Sequence, residues 1–407
     1  GWLICSDNIL TERDPERINW ELLPEGEKGI WHPDFGDIQE EFFVEELSDG
    51  SLYTLYRTEE GFIASATSGD GGRSWSQPVV LKDNTGRAIG NPRACPRLWK
   101  APNGKYLLWH HNNSFPGWGN SPVRSPVWIS GGHEAEGIIK WSQPEVLLYT
   151  QDLTLRGMSY PDFISVDDRY WVTETQKFEA RVHEIDAALL EALWNQHETR
   201  TRTDKNLVLE APGPESSGEL LSGARIEIPQ LPDLDAGSIT IELQFRLNSL
   251  RPEQDLFNTF GPPRKGIRIC TNESRSLRIE VTDGQSRRYT DVIDTPIPGS
   301  NARAVPHFMW DADANVLTES QLHHVVFILD GPARLLLVVV DGMLCDGGHE
   351  RIQGWWRLNP DIKSICRDRI CAVSDNLDGS IKSMRLYDRA LTVTECIGNY
   401  RFLRSEI

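Results

Sequence analysis

Apolar and polar side chains alternate with a period of two in segment after segment of this chain, which predicts strands with one buried face. Three segments share the same entry. Asp49-Gly50-Ser51-Leu52-Tyr53-Thr54-Leu55-Tyr56, Asn103-Gly104-Lys105-Tyr106-Leu107-Leu108-Trp109 and Asp168-Arg169-Tyr170-Trp171-Val172-Thr173 each read as a turn running into a strand. Gly1-Trp2-Leu3-Ile4-Cys5 matches the strand part and reads as a fourth copy. The period changes after the last copy. Ala180, Val182, Ile185, Leu189, Leu190, Leu193 and Trp194 fall at three- and four-residue steps. They predict one amphipathic helix over Phe178–Gln196, or a shorter helix with Asp186 as its N-cap.

A polar stretch, Glu198 to Lys205, and the Pro/Gly/Ser-rich Ala211 to Gly218 predict a linker. Alternation returns beyond it in Ser238–Leu247 and Ser276–Val281, and in His323–Leu329 and Arg334–Val340 around a turn at Asp330-Gly331-Pro332. A last strand within Leu377–Leu391 precedes a short helix at Thr392–Tyr400. The expected division is therefore 1–200, a 201–219 linker and 220–407.

Between two strand-like runs lies Ser68-Gly69-Asp70-Gly71-Gly72-Arg73-Ser74-Trp75, which has the S-x-D-x-G-x-S/T-W form of an Asp-box. Asp70 is placed to accept backbone N–H groups of its own turn, the glycines allow positive φ, and Trp75 supplies an apolar plug between sheets. Such a box is a structural staple. Its exit, Trp75-Ser76-Gln77-Pro78, is echoed by Trp141-Ser142-Gln143-Pro144 after a degenerate box around Ser130-Gly131-Gly132. The chain thus resembles the sialidase-type β-propellers, and the repeat interval suits four-stranded blades. About four blades fit in residues 1–200, against roughly six or seven in a complete ring. The remaining blades are expected outside this sequence, for which a separate N-terminal polypeptide is one source.

The ending Gly379-Ser380-Ile381-Lys382-Ser383-Met384-Arg385-Leu386-Tyr387-Asp388-Arg389-Ala390-Leu391 resembles the last strand of laminin-G/concanavalin-A-like jelly rolls. The implied fold class is all-β: a partial propeller, a linker helix and a β-sandwich. Such sandwiches bind glycans in some proteins and brace a catalytic domain in others. The loop Asp375-Asn376-Leu377-Asp378-Gly379 offers oxygen ligands for a structural calcium, although turn-making accounts for the same residues. No other cofactor is called for, and no Cys or His spacing supports zinc.

The net charge of −18 argues against nucleic acid or an anionic membrane surface as main partner, since both require clustered Lys and Arg. A local pocket of Arg and His can still oppose that field for an acidic glycan. No apolar run of about 18 residues is present, so no membrane-spanning helix is expected. Composition agrees with a secreted or periplasmic carbohydrate protein. Of the seven cysteines, Cys366 and Cys371 are spaced for a local bridge.

Candidate chemistry is confined to the first half. His110 and His111 end an apolar strand ahead of a loop with Trp118, whose ring can stack on a sugar. Arg57, Arg97 and Arg124 offer the planar fork that holds a carboxylate. Tyr160 precedes the last inner strand, with Glu174 as its carboxylate partner. A core or ion-pair role competes for each of these.

The general pattern, including Tyr160-Pro161-Asp162 and Trp171-Val172-Thr173-Glu174, resembles divergent propeller lyases and rhamnosidases acting on rhamnosyl-glucuronate glycans. That resemblance implies β-elimination at a uronic acid, with His110, His111 or Tyr160 as base and Arg97 on the carboxylate. The alternatives are an exo-sialidase-like hydrolase and a non-catalytic glycan-binding protein.

Overall fold

The alternating segments become strands, and in the computed structural model they gather into two units, Gly1–His197 and Glu198–Ile407. The structure describes all residues except 38, 117–123, 151–156, 176–178, 214–217, 263, 285–307, 359, 366–368 and 406–407. The protein is all-β, with a multi-sheet first unit that ends in a helix and a separate β-sandwich.

Among the described residues, the first unit holds four antiparallel sheets in chain order. β1 (Leu3–Cys5) pairs β2 (Glu21–Leu23). Next come β3 (Glu40–Glu46), β4 (Leu52–Arg57), β5 (Ile63–Ser68) and β6 (Val79–Val80). The third sheet joins β7 (Arg97–Lys100), β8 (Tyr106–His110), β9 (Val127–Ala135) and β10 (Ile138–Trp141), with β11 (Glu145–Leu148) also on β9. β12 (Phe163–Val166), β13 (Arg169–Thr175) and β14 (Ala180–Ile185) form the fourth. The three turn-to-strand copies are β4, β8 and β13, the second strand of each sheet.

Each sheet buries an apolar row on the next. Tyr53, Leu55 and Ile63 pack with Leu98, Tyr106, Leu108 and Trp141. Leu107, Trp109, Val127 and Ile129 pack with Val172 and Ile185. First strands adjoin: Arg97 on β7 lies over the Phe43 ring of β3 at 4.2 Å, and Trp99 Nε1 donates to Asp162 just before β12 at 3.3 Å. The two end sheets carry exposed apolar rows. Ile4 (71% exposed) and Leu22 (57%) are cross-strand partners on the first, while Val166 and Val182 are exposed on the fourth.

The Ser68–Trp75 turn closes on its own side chains. Asp70 accepts from Ser68 Oγ, Ser74 N and Ser74 Oγ at 2.8, 2.9 and 2.5 Å, and Trp75 Nε1 donates to Gly72 O. These bonds, led by that of the Ser74 hydroxyl, hold the Asp70 carboxyl down at about 2. Gly71 and Gly72 take φ of 71° and 89°. The echo recurs in bonds as well as letters. Ser76 N donates to Thr67 O and Ser142 N to Gly131 O, both at 2.8 Å, and each serine Oγ accepts from the same partner's N–H.

The degenerate box expected at Ser130-Gly131-Gly132 is not a turn, because these residues run inside β9. A Cβ on Gly131 would meet Leu193 at 2.9 Å, and one on Gly132 would meet Ile139 and Trp141. Their bareness serves close approach. The single helix expected over Phe178–Gln196 is also corrected, although residues 176–178 lie outside the described residues. Ala180–Ile185 is strand β14, and only α1 (Ala187–Trp194) is helical, with Asp186 accepting from Ala188 N at 2.9 Å as N-cap. Val182 and Ile185, three residues apart, fit the helical period, but pairing with β13 makes the segment a strand and sets them on opposite faces, Val182 exposed and Ile185 buried.

In the second unit, part of the expected linker is strand. β15 (Leu207–Ala211) zips onto the final strand, and β16 (Arg225–Glu227) follows. The others are β17 (Ile239–Leu247), β18 (Asp255–Asn258), β19 (Lys265–Thr271), β20 (Leu277–Asp283), β21 (Phe308–Asp311), β22 (Leu322–Asp330), β23 (Leu335–Val340), β24 (Met343–Leu344), β25 (Trp356–Arg357), β26 (Ile370–Ala372) and β27 (Gly379–Tyr387). One sheet runs β15-β27-β17-β22-β23-β24 with β25 on β23, the other β16-β26-β18-β19-β20-β21. Inward residues of both, among them Ile241, Phe245, Phe327, Phe257, Ile269 and Ile279, share one core, which defines a sandwich. α2 (Val393–Ser405) begins with a capping box: Glu395 N donates to Thr392 Oγ1 and Thr392 N to Glu395 Oε2.

Candidate functional site

Three arginines from three separate segments of the first unit converge. Arg57 ends β4 and is buried, its guanidinium paired with Glu40 and, at 2.6 Å, with Glu41. Arg93 shares Glu40 at 4.0 Å and meets Glu59 at 3.3 Å. Arg124 donates to the Arg93 carbonyl at 2.8 Å and to Ser159 Oγ at 3.0 Å. Burial depresses the Arg124 guanidinium below its ordinary value, and the charges of Arg57 and Arg93 add to this, whereas Tyr160 and Glu41 oppose it. The Nε atoms of Arg57 and Arg124 are buried without a partner among the described residues.

Tyr160 stands beside this cluster on an irregular strand. Ser159 bridges Thr175, and Phe163 pairs with Val172, so four steps along one strand face three along the other. The extra residue falls at Tyr160-Pro161, where Tyr160 has φ of 51° and is 51% exposed. Bulges of this kind re-aim side chains. Glu174, the residue before Thr175, is buried. Its Oε1 lies 3.5 Å from His183 Nε2, and its Oε2 has no hydrogen-bond partner among the described residues. The register sets Glu174 opposite the bulge.

The remaining candidates border this cluster or lie in the core beside it. Arg97 pairs with Asp162 at 3.6 Å over Phe43 and, with Arg57 and Arg124, acts on the Cys95 thiol. His110 is fully buried between Gly90 O and Ser130 Oγ, each at 3.3 Å. His111 is buried edge-on to Trp109. Burial lowers His110 to about 4, and burial followed by the charge of Arg124 lowers His111 to about 3, so both are neutral near pH 7. Trp118 lies outside the described residues, as does Cys366, and Cys371 is a buried thiol pushed up to about 12 by burial. Sequence reasoning missed Arg93, Glu40 and Glu41. Arg93 sits in Asn91-Pro92-Arg93-Ala94, where no alternation marks it, and the glutamates gain meaning only across the β3–β4 pair.

Among the described residues no three His, Cys, Asp or Glu side chains group to hold a metal. In the loop proposed for calcium, the Asp378 carboxylate accepts from Ser249 Oγ at 2.7 Å and Asn248 Nδ2 at 3.2 Å. No described helix is long and apolar enough to cross a membrane.

Residues 221–396 match the family model described as the concanavalin A-like lectin/glucanases superfamily. This agrees with the sandwich. No curated protein sequence matches the chain. Among solved structures, Trypanosoma rangeli sialidase in complex with sialic acid is similar at 11% identity and a TM-score of 0.31, over 96% of this chain and 65% of that one. The chain thus spans less than two thirds of that sialidase's length. The Ruminococcus gnavus IT-sialidase CBM40 is similar at 14% identity and a TM-score of 0.29, over 44% of this chain and 98% of that one.

Proposed function

We propose that the first unit binds a glycan through its carboxylate at Arg57, Arg93 and Arg124 and cleaves it as an exo-sialidase-like glycoside hydrolase. The observation that carries this reading is the convergence of three guanidinium groups beside the bulged Tyr160. Planar cations suit a carboxylate, and two of them keep an unpartnered buried Nε. Tyr160 attacks the anomeric carbon as Glu174, across the strand pair, draws its proton; the glycosidic C–O bond breaks, the aglycone leaves as an alcohol with a proton from water, and a second water cleaves the glycosyl-tyrosine and restores the phenol. The four successive sheets read as propeller blades. Their exposed end rows fit further sheets of the same kind, in the same or another polypeptide, closing a ring around the site. The sandwich acts as a glycan-binding or bracing module, at a secreted or periplasmic location.

Elimination at a uronic acid of rhamnosyl-glucuronate type is less well supported. The two histidines suited to that chemistry are buried, one of them held by Gly90 and Ser130. The deciding experiment incubates the protein with a fluorogenic sialoside and, separately, with uronate polymers. Aglycone release that is lost in Tyr160→Phe supports the hydrolase. Ultraviolet absorbance of an unsaturated uronate restores the lyase reading, and binding of either glycan without turnover selects a lectin.

A further inference from the structure

The guanidinium groups of the cluster are held by acids of the chain itself, and the two acids on Arg57 differ in one respect. Glu41 sits on the Nη1 side at 2.6 Å, with its side chain 26% exposed. Its backbone has φ of 62°, where the β3–β4 register slips between Glu40 and Phe42. A bulge with positive φ fixes this side chain inward. Glu40 is the opposite case. Its Oε1 bridges Arg57 Nη2 and, at 4.0 Å, Arg93 Nη2, while its side chain is 60% exposed. An oxygen shared by two arginines, reachable from solvent, is where the carboxylate of a bound sugar would sit.

We propose that the Glu40 carboxylate is an internal stand-in for the ligand, covering Arg57 and Arg93 until an acidic sugar displaces it, while Glu41 remains and positions Arg57. The inference rests on the arginine cluster being the carboxylate site. Displacement is cheap because Glu40 returns to water while the incoming carboxylate takes its place on the buried Arg57 and Glu41 stays paired, so the exchange is expected to cost about 1 kcal/mol, or a factor of about five in affinity. The swing of one side chain into water suffices.

The test titrates free N-acetylneuraminic acid and glucuronic acid, each beside its uncharged methyl ester, into the full chain by calorimetry. Glu40→Gln is expected to bind one of the free acids up to about fivefold more tightly than the parent, with the ester unchanged. Glu41→Gln is expected to bind the same acid more weakly. Unchanged or weaker binding of the acid by Glu40→Gln overturns the proposal, as does equal tightening by both variants, which would reflect net charge alone. Arg57→Gln separates the two levels. If it leaves binding of the acids untouched, the cluster is not the carboxylate site, and the proposed function and the inference fall together. If it abolishes binding while Glu40→Gln has no effect, only the inference falls.

Discussion

The Tyr387 hydroxyl donates to Glu242 Oε2 at 2.6 Å, deep inside the second unit. Around the same carboxylate lie Asn399 Nδ2 at 3.0 Å, Arg385 Nη1 at 3.3 Å and His324 Nε2 at 2.7 Å. Arg385 and Tyr387 are two letters of the terminal strand motif. Arg389, the third, clasps Glu395 at the start of α2. The motif thus reads as a docking device. It ties the outer face of β27 to α2 through Asn399 and to the lead-in segment through Thr203, whose carbonyl accepts from Arg385.

Tyr387→Phe removes a hydrogen bond to a charged group and should cost about 1.5–3 kcal/mol. Glu242→Ala is expected to cost more, about 3–5 kcal/mol, because Arg385 and His324 remain buried with a partner lost. Urea unfolding of the full chain reads both. Equal stability of Tyr387→Phe and the parent would show the network to be energetically idle.

The same carboxyl makes the unit acid-sensitive. Burial alone would raise Glu242, but the hydrogen bond and charge of His324, then Arg385 and the Tyr387 hydroxyl, outweigh it and hold it at about 2, against 4.5 for the ordinary group. A depressed carboxyl contributes stability that is complete above pH 4.5 and is lost as pH falls through 2. The contribution is on the order of 3 kcal/mol. Melting curves of parent and Glu242→Gln between pH 6 and pH 2 should therefore converge toward the acid end. A constant gap across that range would contradict the assignment.

The paired tryptophans of the repeat should not be equivalent. Trp141 is fully buried among Tyr53, Leu55 and Tyr106, whereas Trp75 is half-buried at the edge of the first interface. Trp141→Ala is expected to cost about 3–5 kcal/mol, and Trp75→Ala roughly 1–2 kcal/mol, in keeping with the smaller area withdrawn from water. Chemical denaturation distinguishes them, and a larger loss at Trp75 would reverse the reading.

What the sequence revealed and what it hid follow from the range of the interactions. Turns and second strands were legible because Asp49-Gly50, Asn103-Gly104 and the Ser68–Trp75 staple act within a few residues. The Trp-Ser-Gln-Pro echo was legible because Ser76 and Ser142 make the same bonds. Ambiguity set in where a helical spacing lies on a strand, as at Val182 and Ile185, and where glycines serve a distant neighbour, as Gly131 serves Leu193. The proposed site was half visible. Arg57, Arg124, Tyr160 and Glu174 could be named from their chemistry, but Arg93 joins them through Glu40, contributed by the start of β3, and through its carbonyl, which accepts from Arg124.

Arg124 and Tyr160 give the proposed hydrolase a kinetic signature. Both Nη atoms of Arg124 are engaged, one by the Arg93 carbonyl and one by Ser159, the residue before the bulged tyrosine. A lysine cannot span both partners. Arg124→Lys is therefore expected to raise KM and to lower kcat on a sialoside, together by roughly a hundredfold in kcat/KM, since it disturbs both the carboxylate clamp and the setting of Tyr160. Tyr160→Phe loses only the nucleophile. It should lower kcat by at least as much while KM stays within a few-fold, because the arginines still hold the ligand. His110→Gln serves as the control from the buried core: with its ring neutral above about pH 4, the parent's pH–rate profile from 5 to 8 should persist in the variant. A limb of that profile vanishing with His110 would move the chemistry toward the buried strand end, away from the arginine cluster.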